Sequence, residues 1–398
     1  MRERRWVLVV MSTALFVSVL VWFNYSAVLP LIVEEWDLSG IEAGIIFGAF
    51  QAGYLVAILP AGRLADRYSP RWVVAVGATG TGIPSLLFAA AADGFVLGTL
   101  LRFLSGLFVA GVYVPGMRFL SEWFPEAVRG RAIGIYAGAF ELGSGLSFVF
   151  ATLAAEAVDW RAAVALTSVG AVLVAPIVLW FTRDHPERTG GNGGKLDLSL
   201  LKNRSFLSAV SIYSWHNWEL FGVRNWLLAF LVATPAFAAT ESAVFAGLVV
   251  GGMIVLSGVG NVAGGWLSDR IGRARTIGIG LGLSATLSAV FGLFSALPLA
   301  ALVAVTLVYG FVLAMDSAPT STLVTEVVDE DHVGTALSIQ SFVGFSTTVV
   351  SPIVFGLALD RAGYVAAFPT LAVGALLGLL SVAVLVRVET RSAVSADG

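Results

Sequence analysis

Long, unbroken apolar runs separated by short polar breaks make up almost the whole chain. A helix that crosses a bilayer needs about 20 apolar residues. Twelve such runs can be marked, at 6–31, 41–62, 72–91, 94–119, 131–154, 161–181, 206–231, 243–266, 275–296, 298–324, 333–357 and 364–387. They are continuous rather than alternating, so the pattern predicts helices and not the strands of a barrel. The most conspicuous polar break is Gly62-Arg-Leu-Ala-Asp66-Arg67-Tyr-Ser-Pro-Arg71. It returns, 203 positions later, as Gly265-Trp-Leu-Ser-Asp269-Arg270-Ile-Gly-Arg273.

A second repeat extends the first. Glu122-Trp-Phe-Pro-Glu-Ala-Val-Arg129-Gly-Arg-Ala132 aligns with Glu326 to Ala336 at a shift of 204. Two six-span halves in the same orientation form a parallel repeat, a transporter plan with its site at the midplane. The expected organisation is a six-helix bundle over 1–182, a hydrophilic connection over 183–204 and a second bundle over 205–398. Within the connection, Thr189–Gly194 is glycine-rich and reads as a flexible linker. Span seven breaks the symmetry, because about ten extra residues separate it from the second hinge.

Composition agrees with the pattern. Hydrophobic residues make up 58% of the 398 and charged residues 12%, against about 25% charged in soluble domains. The net charge of −3 gives no nucleic-acid partner. With no cysteine, disulfides, thiolate metal sites and a cysteine nucleophile are excluded. The three histidines, His185, His216 and His332, lack metal-ligand spacing, so neither a metal nor a cofactor is expected. No Gly-x-x-x-x-Gly-Lys-Ser/Thr loop provides for ATP, and no nucleophile–base pair points to an enzyme. Met1-Arg-Glu-Arg-Arg5 opens like a signal peptide, but the apolar run continues to Pro30, past the usual 7–15 residues.

Arg and Lys set the orientation. With the N-terminus inside, cytoplasmic segments hold 18 of the 23, and only Arg161 and Arg361 fall outside. This predicts a multi-pass protein of the cell membrane with both termini cytoplasmic. Arg102, Arg118 and Arg224 lie within spans.

Ionisable groups at bilayer depth are costly and mark function. Span seven carries the densest group, with His216 and Glu219 at i,i+3 on one face. An imidazole beside a carboxylate suits proton coupling, and equally suits a structural pair between helices. Arg224, about 12 Å further along the helix, is placed near the outer interface, where it snorkels or takes part in the site. Glu141 is central in span five, either a proton carrier or the partner of Arg102. Asp316 lies in span ten, as a coupling residue or a gate contact. Arg118 pairs most simply with Glu122 at i,i+4. Asn24, Tyr25, Tyr113, Tyr136 and Gln340 are polar at suitable depth, for lining a cavity or for ordinary interhelical bonds.

The motifs resemble those of the major facilitator superfamily over essentially the whole chain. Gly62-x-x-x-Asp66-Arg67-x-x-x-Arg71 looks like the loop 2–3 signature, although Ser69-Pro70 stands where Gly-Arg is usual. Gly265-x-x-x-Asp269-Arg270-x-Gly272-Arg273 looks like its loop 8–9 copy. Arg102-x-x-x-Gly106 looks like the mid-helix arginine motif, and Trp123-Phe124-Pro125 with Arg129-Gly130-x-Ala132 like the junction of spans four and five. The resemblance implies a monomeric all-α carrier of twelve helices in two bundles, working by alternating access. It also gives Arg102 a gating or proton-linked role. Gly62, Asp66, Arg67, Arg71, Arg118, Glu122 and Arg129 would form one cytoplasmic latch, and Gly265, Asp269, Arg270, Arg273 and Glu326 the other. Because Ser69-Pro70 interrupts the first hinge, the two latches should differ in strength.

Drug/proton antiporters of this superfamily usually carry Gly-Pro in span five. Here the run is Glu141-Leu-Gly143-Ser144-Gly145-Leu146, which weakens an efflux reading. Embedded arginines with His216 and Glu219 favour a small anionic solute, coupled to protons or exchanged against a counter-substrate. Proton-driven export of amphipathic compounds remains the alternative. Gly258-Val-Gly260-Asn261-Val-Ala-Gly264-Gly265 is faintly similar to runs in nitrate/nitrite porters.

Overall fold

The structure, a computed structural model, describes residues 2–186, 198–329 and 332–396. The glycine-rich linker, with Arg188 and Lys195, lies outside the described residues, as do Glu330 and Asp331 of the second repeat. Every regular element among the described residues is a helix. In chain order these are α1 (Arg2–Trp36), α2 (Gly40–Arg67), α3 (Pro70–Ala91), α4 (Phe95–Val109), α5 (Tyr113–Trp123), α6 (Glu126–Ala157), α7 (Trp160–Val172) and α8 (Val174–Phe181). They continue as α9 (Arg204–Ala233), α10 (Pro235–Ala238), α11 (Ala243–Ile271), α12 (Arg273–Val290), α13 (Leu299–Leu313), α14 (Ser317–Glu326) and α15 (Val333–Ala396).

Ten segments of the described chain are long and apolar enough to cross a membrane. One of them, Thr335–Val388, is 54 residues long, far more than a bilayer of about 30 Å requires. It is broken at Ala362–Gly363, where Gly363 has φ +71°, and therefore holds two crossings. α9 is 30 residues long but carries His216, Glu219 and Arg224, which lower its hydropathy. With α9 and the doubled segment, the helices account for the twelve expected spans.

Local chemistry fixes the helix ends. Ser39 and Glu42 close a capping box at the start of α2, satisfying two orphan amides reciprocally. Asp159 caps α7 by accepting from the Ala162 amide at 2.7 Å, and Asn203 caps α9 by accepting from Phe206 at 3.1 Å. The two hinges end differently. Gly272, at φ +92°, turns α11 into α12 through the left-handed region that glycine tolerates. In the first hinge Tyr68 and Ser69 are extended and Pro70 opens α3, as proline at the first helical position allows.

The chain forms two compact units, Met1–Gly194 with Thr240–Ile254, and Lys195–Ala239 with Val255–Gly398. In the first unit α2 and α4 touch backbone to backbone, since a Cβ on Gly106 would lie 1.9 Å from the Phe50 carbonyl oxygen. The start of α11 packs on α6 in the same way, with a Cβ on Gly251 falling 2.8 Å from the Gly145 oxygen. Such small-residue seams are how helices associate where lipid removes the hydrophobic drive. In the second unit the same device joins α11 to the break between α13 and α14, where a Cβ on Gly264 would meet the Met315 oxygen at 1.7 Å. Its core is built by Phe206, Ile212, Ile277, Leu281, Val324 and Leu385, all fully buried.

Candidate functional site

In the first unit, the polar interior is organised by Arg102 on α4, which is 1% exposed. Its guanidinium donates to the carbonyls of Val21 and Trp22 on α1, both at 3.0 Å, and to Asn24 Oδ1 at 3.4 Å. It also lies over the Phe50 ring at 4.4 Å and the Tyr25 ring at 5.4 Å. All these partners are neutral; Arg102 takes carbonyls and rings, not Glu141, which sits half-buried on α6. Asn24 is a hub, donating to Thr167 at 3.1 Å, Ser168 at 3.3 Å and Ser85 at 3.4 Å. Tyr25 donates to the Ala43 carbonyl at 3.0 Å. Tyr136 donates to the Val112 carbonyl at 2.9 Å, and half-buried Tyr113 stacks on the Tyr136 ring at 6.0 Å.

The second unit holds the ionisable cluster. His216 Nδ1 lies 2.9 Å from Asp316 Oδ1, with side chains 3% and 2% exposed. Its Nε2 meets the Ser317 hydroxyl at 2.9 Å. Glu219, one turn along α9, does not pair with His216. It accepts from Ser284 at 2.8 Å and from Ser288 on α12, and Ser288 in turn bonds the Tyr309 hydroxyl. Arg224 is also buried, at 2% exposure, within Coulombic range of His216. The interfacial, snorkelling position expected for it is not what the fold gives. Fully ionised, Asp316, Glu219, His216 and Arg224 carry no net charge, which lowers the cost of burying them together.

Both units interrupt one span at the same register. α4 ends at Val109 and α5 begins at Tyr113; α13 ends at Leu313 and α14 begins at Ser317. The shift is 204 in each case. Interrupted helices at corresponding places of two repeats are a hallmark of transporter sites. The Major Facilitator Superfamily model matches residues 11–246 and again 226–397. The chain belongs to the Major Facilitator Superfamily. It is a multi-pass membrane transporter and not an enzyme.

Among superfamily relatives, the chain is 27% identical to the probable sulfoacetate transporter SauU of Cupriavidus necator, over 95% of this chain and 92% of the relative. It is 26% identical to the hexuronate transporter of Bacillus subtilis, over 84% and 83%. In fold it is similar to a bacterial homologue of the human lysosomal transporter Spinster, solved in an inward-facing, occupied conformation. That match has a TM-score of 0.80 at 16% identity and covers 98% of this chain and 97% of the other.

The superfamily hinges differ in geometry as well as sequence. In the second, Arg273 is the centre: it reaches Asp269 at 2.5 Å, the Ser268 hydroxyl at 2.6 Å and Glu326 at 3.1 Å. Arg270 lies over the Trp266 ring at 3.4 Å. In the first, the position matching Arg273 is held by Ser69-Pro70. Arg118 stands in from α5, at 3.5 Å from Glu122 and 3.9 Å from Asp66, beyond hydrogen-bond length. Arg71 turns away and donates to the Thr182 carbonyl, beside a bond from Ser69 to Asp184. Arg67 lies against Tyr68, and Arg129 donates to the Phe124 carbonyl at 3.3 Å.

Several cluster members escaped sequence reasoning: Ser284, Ser288, Tyr309 and Ser317. Ser284 and Ser288 did leave a signal, two hydroxyls at i,i+4 on one face of an apolar span. Tyr309 left no such signal, and Ser317 stands where the 204 shift carries Tyr113.

Proposed function

We propose that this protein is a proton-coupled secondary transporter of a small organic anion, working by alternating access in the cell membrane as a monomer. The observation that carries the anionic substrate is Arg102. A fully buried guanidinium whose partners are all neutral leaves a permanent positive charge inside the first unit. Its planar fork suits a carboxylate or sulfonate. The names of the relatives, a sulfoacetate and a hexuronate transporter, point to the same chemistry. The buried His216–Asp316 pair, with Glu219 one turn away on α9, supports proton coupling, because an imidazole and a carboxylate in contact can pass a proton as their surroundings change. The proposal includes two six-helix bundles, 1–182 and 205–398, with the hinges and both termini on the cytoplasmic side. There Asp66, Arg118 and Glu122, and Asp269, Arg273 and Glu326, act as latches.

The test uses purified protein in liposomes. Labelled sulfoacetate and a labelled hexuronate are offered under an inward proton gradient. Uptake that rises with the gradient and collapses with a protonophore is expected. Absence of gradient-driven flux for any small anion would sink the reading.

A further inference from the structure

The internal repeat exposes a difference between the two interrupted spans. In the first unit, Tyr136 donates to the Val112 carbonyl at the break, and its hydroxyl lies over Gly116, where a Cβ would come within 2.0 Å. The 204 shift carries Tyr136, Val112 and Gly116 onto Gln340, Asp316 and Thr320. α5 packs on α6 as α14 packs on α15, so the corresponding residues share one neighbourhood in each unit. In the first unit these positions are satisfied. In the second, Gln340 Nε2, Asp316 Oδ2 and Thr320 Oγ1 are each buried and make no hydrogen bond. Gln340 is 3% exposed and Thr320 0%.

Three orphaned polar atoms at one repeat-related place call for a partner, because each buried unsatisfied group is costly. Water is the first alternative. However, what glutamine lacks in heavy atoms against tyrosine, threonine restores against glycine, so the exchange frees no space that a water would need. The three groups are instead complementary to one another. Gln340 Nε2 and the Thr320 hydroxyl are donors, and Asp316 Oδ2 is an acceptor. Asp316 Oδ1 is already engaged by His216. Glu219, from α9, is the other charged group near this carboxylate, and Arg224 acts on His216 from the same helix.

We infer that Gln340 and Thr320 form a second hydrogen-bond set for Asp316, taking its carboxylate when His216 gives it up. Asp316 is then a two-position residue at the break of span ten, and Gln340 and Thr320 are positioning residues. Their loss would leave the His216–Asp316 pair intact and remove the state in which that pair is parted. The consequence for transport rests on the reading of the cluster as the coupling site. The exchange of partners itself does not.

Two measurements test it. In liposomes, Gln340→Met and Thr320→Val should lower gradient-driven sulfoacetate uptake about tenfold, the equivalent of one hydrogen bond to a charged group. Sulfoacetate exchange at equal pH should stay within about twofold, and Thr320→Ser should keep driven uptake. Driven uptake equal to wild type, or uptake and exchange falling together, overturns the inference. The second measurement needs no transport. Gln340→Met should leave the melting temperature unchanged or higher while His216 is present, and lower it in a His216→Leu background, where Asp316 depends on Gln340. An equal effect in both backgrounds overturns the inference; if His216→Leu does not accumulate folded, His216→Gln serves. A wild type that transports no anion refutes the proposed function, and the melting comparison still decides this one.

Discussion

Replacing His216 by leucine should be among the most destabilising changes in the chain, and the damage should be largely repaired by a second change at Asp316. The two groups are 2.9 Å apart with side chains only 3% and 2% exposed. Unit charges at about 4 Å attract by about 4 kcal/mol at an effective dielectric of 20, and the shorter contact gives more. Desolvation costs several kcal/mol for each ion, so the intact pair contributes little net stability. Removing one partner strands the other, at about 3–5 kcal/mol. His216→Leu should therefore cost an amount in that range, toward its lower end if Gln340 and Thr320 catch the freed carboxylate. Asp316→Asn keeps an acceptor for neutral imidazole and should cost only about 1 kcal/mol. The double variant buries no stranded charge, and should be more stable than His216→Leu alone by about 2 kcal/mol or more. The assay is reversible denaturation in detergent micelles followed by tryptophan fluorescence, for which the chain has 11 tryptophans. If the double variant loses the sum of the single losses, the two groups are not coupled and the account of the cluster fails.

Other consequences are as direct. Arg273→Gln removes three polar contacts that cross from α12 to α11 and α14, and should lower stability by about 1 kcal/mol; Arg118→Gln should cost less than half of that, since its contacts are fewer and longer. Melting of the two variants at low salt measures the difference, and equal losses would refute unequal latches. Arg102→Lys keeps the charge but offers its donors from one nitrogen instead of the two that reach Val21, Asn24 and Trp22, so it should cost about 1.5–3 kcal/mol in the same denaturation assay; an unchanged midpoint would mean that the carbonyl contacts do not hold α1. Gly264→Ala should abolish folded protein on size-exclusion chromatography, because its methyl would meet the Met315 carbonyl oxygen at 1.7 Å; a monodisperse peak at wild-type yield would refute that packing.

What could be read from the chain depended on whether the signal lay along one helix or between several. The repeated hinge is a local string, so its two copies and their inequality were legible. The structure adds the reason, which is that Ser69-Pro70 displaces the arginine that Arg273 supplies in the second copy. Helix number was legible because apolar length is itself the constraint a bilayer imposes; even α9 and the doubled α15 follow from it. Partners were not. His216 and Glu219 share a face of α9, yet each is claimed by a different neighbour, Asp316 at the break of span ten and the serines within α12. Helix rotation decides that, and an apolar helix in lipid has no wet face to reveal its rotation. Arg224 shows the same limit: distance along the helix placed it toward an interface, whereas rotation turns it into the interior. The repeat supplies what a single helix withholds. Once Tyr136 and Val112 are seen bonded in one half, the shift of 204 directs attention to Gln340 and Asp316 in the other. The departure from symmetry, polar groups left unbonded where the copy is satisfied, then marks the place where the second half does something the first does not.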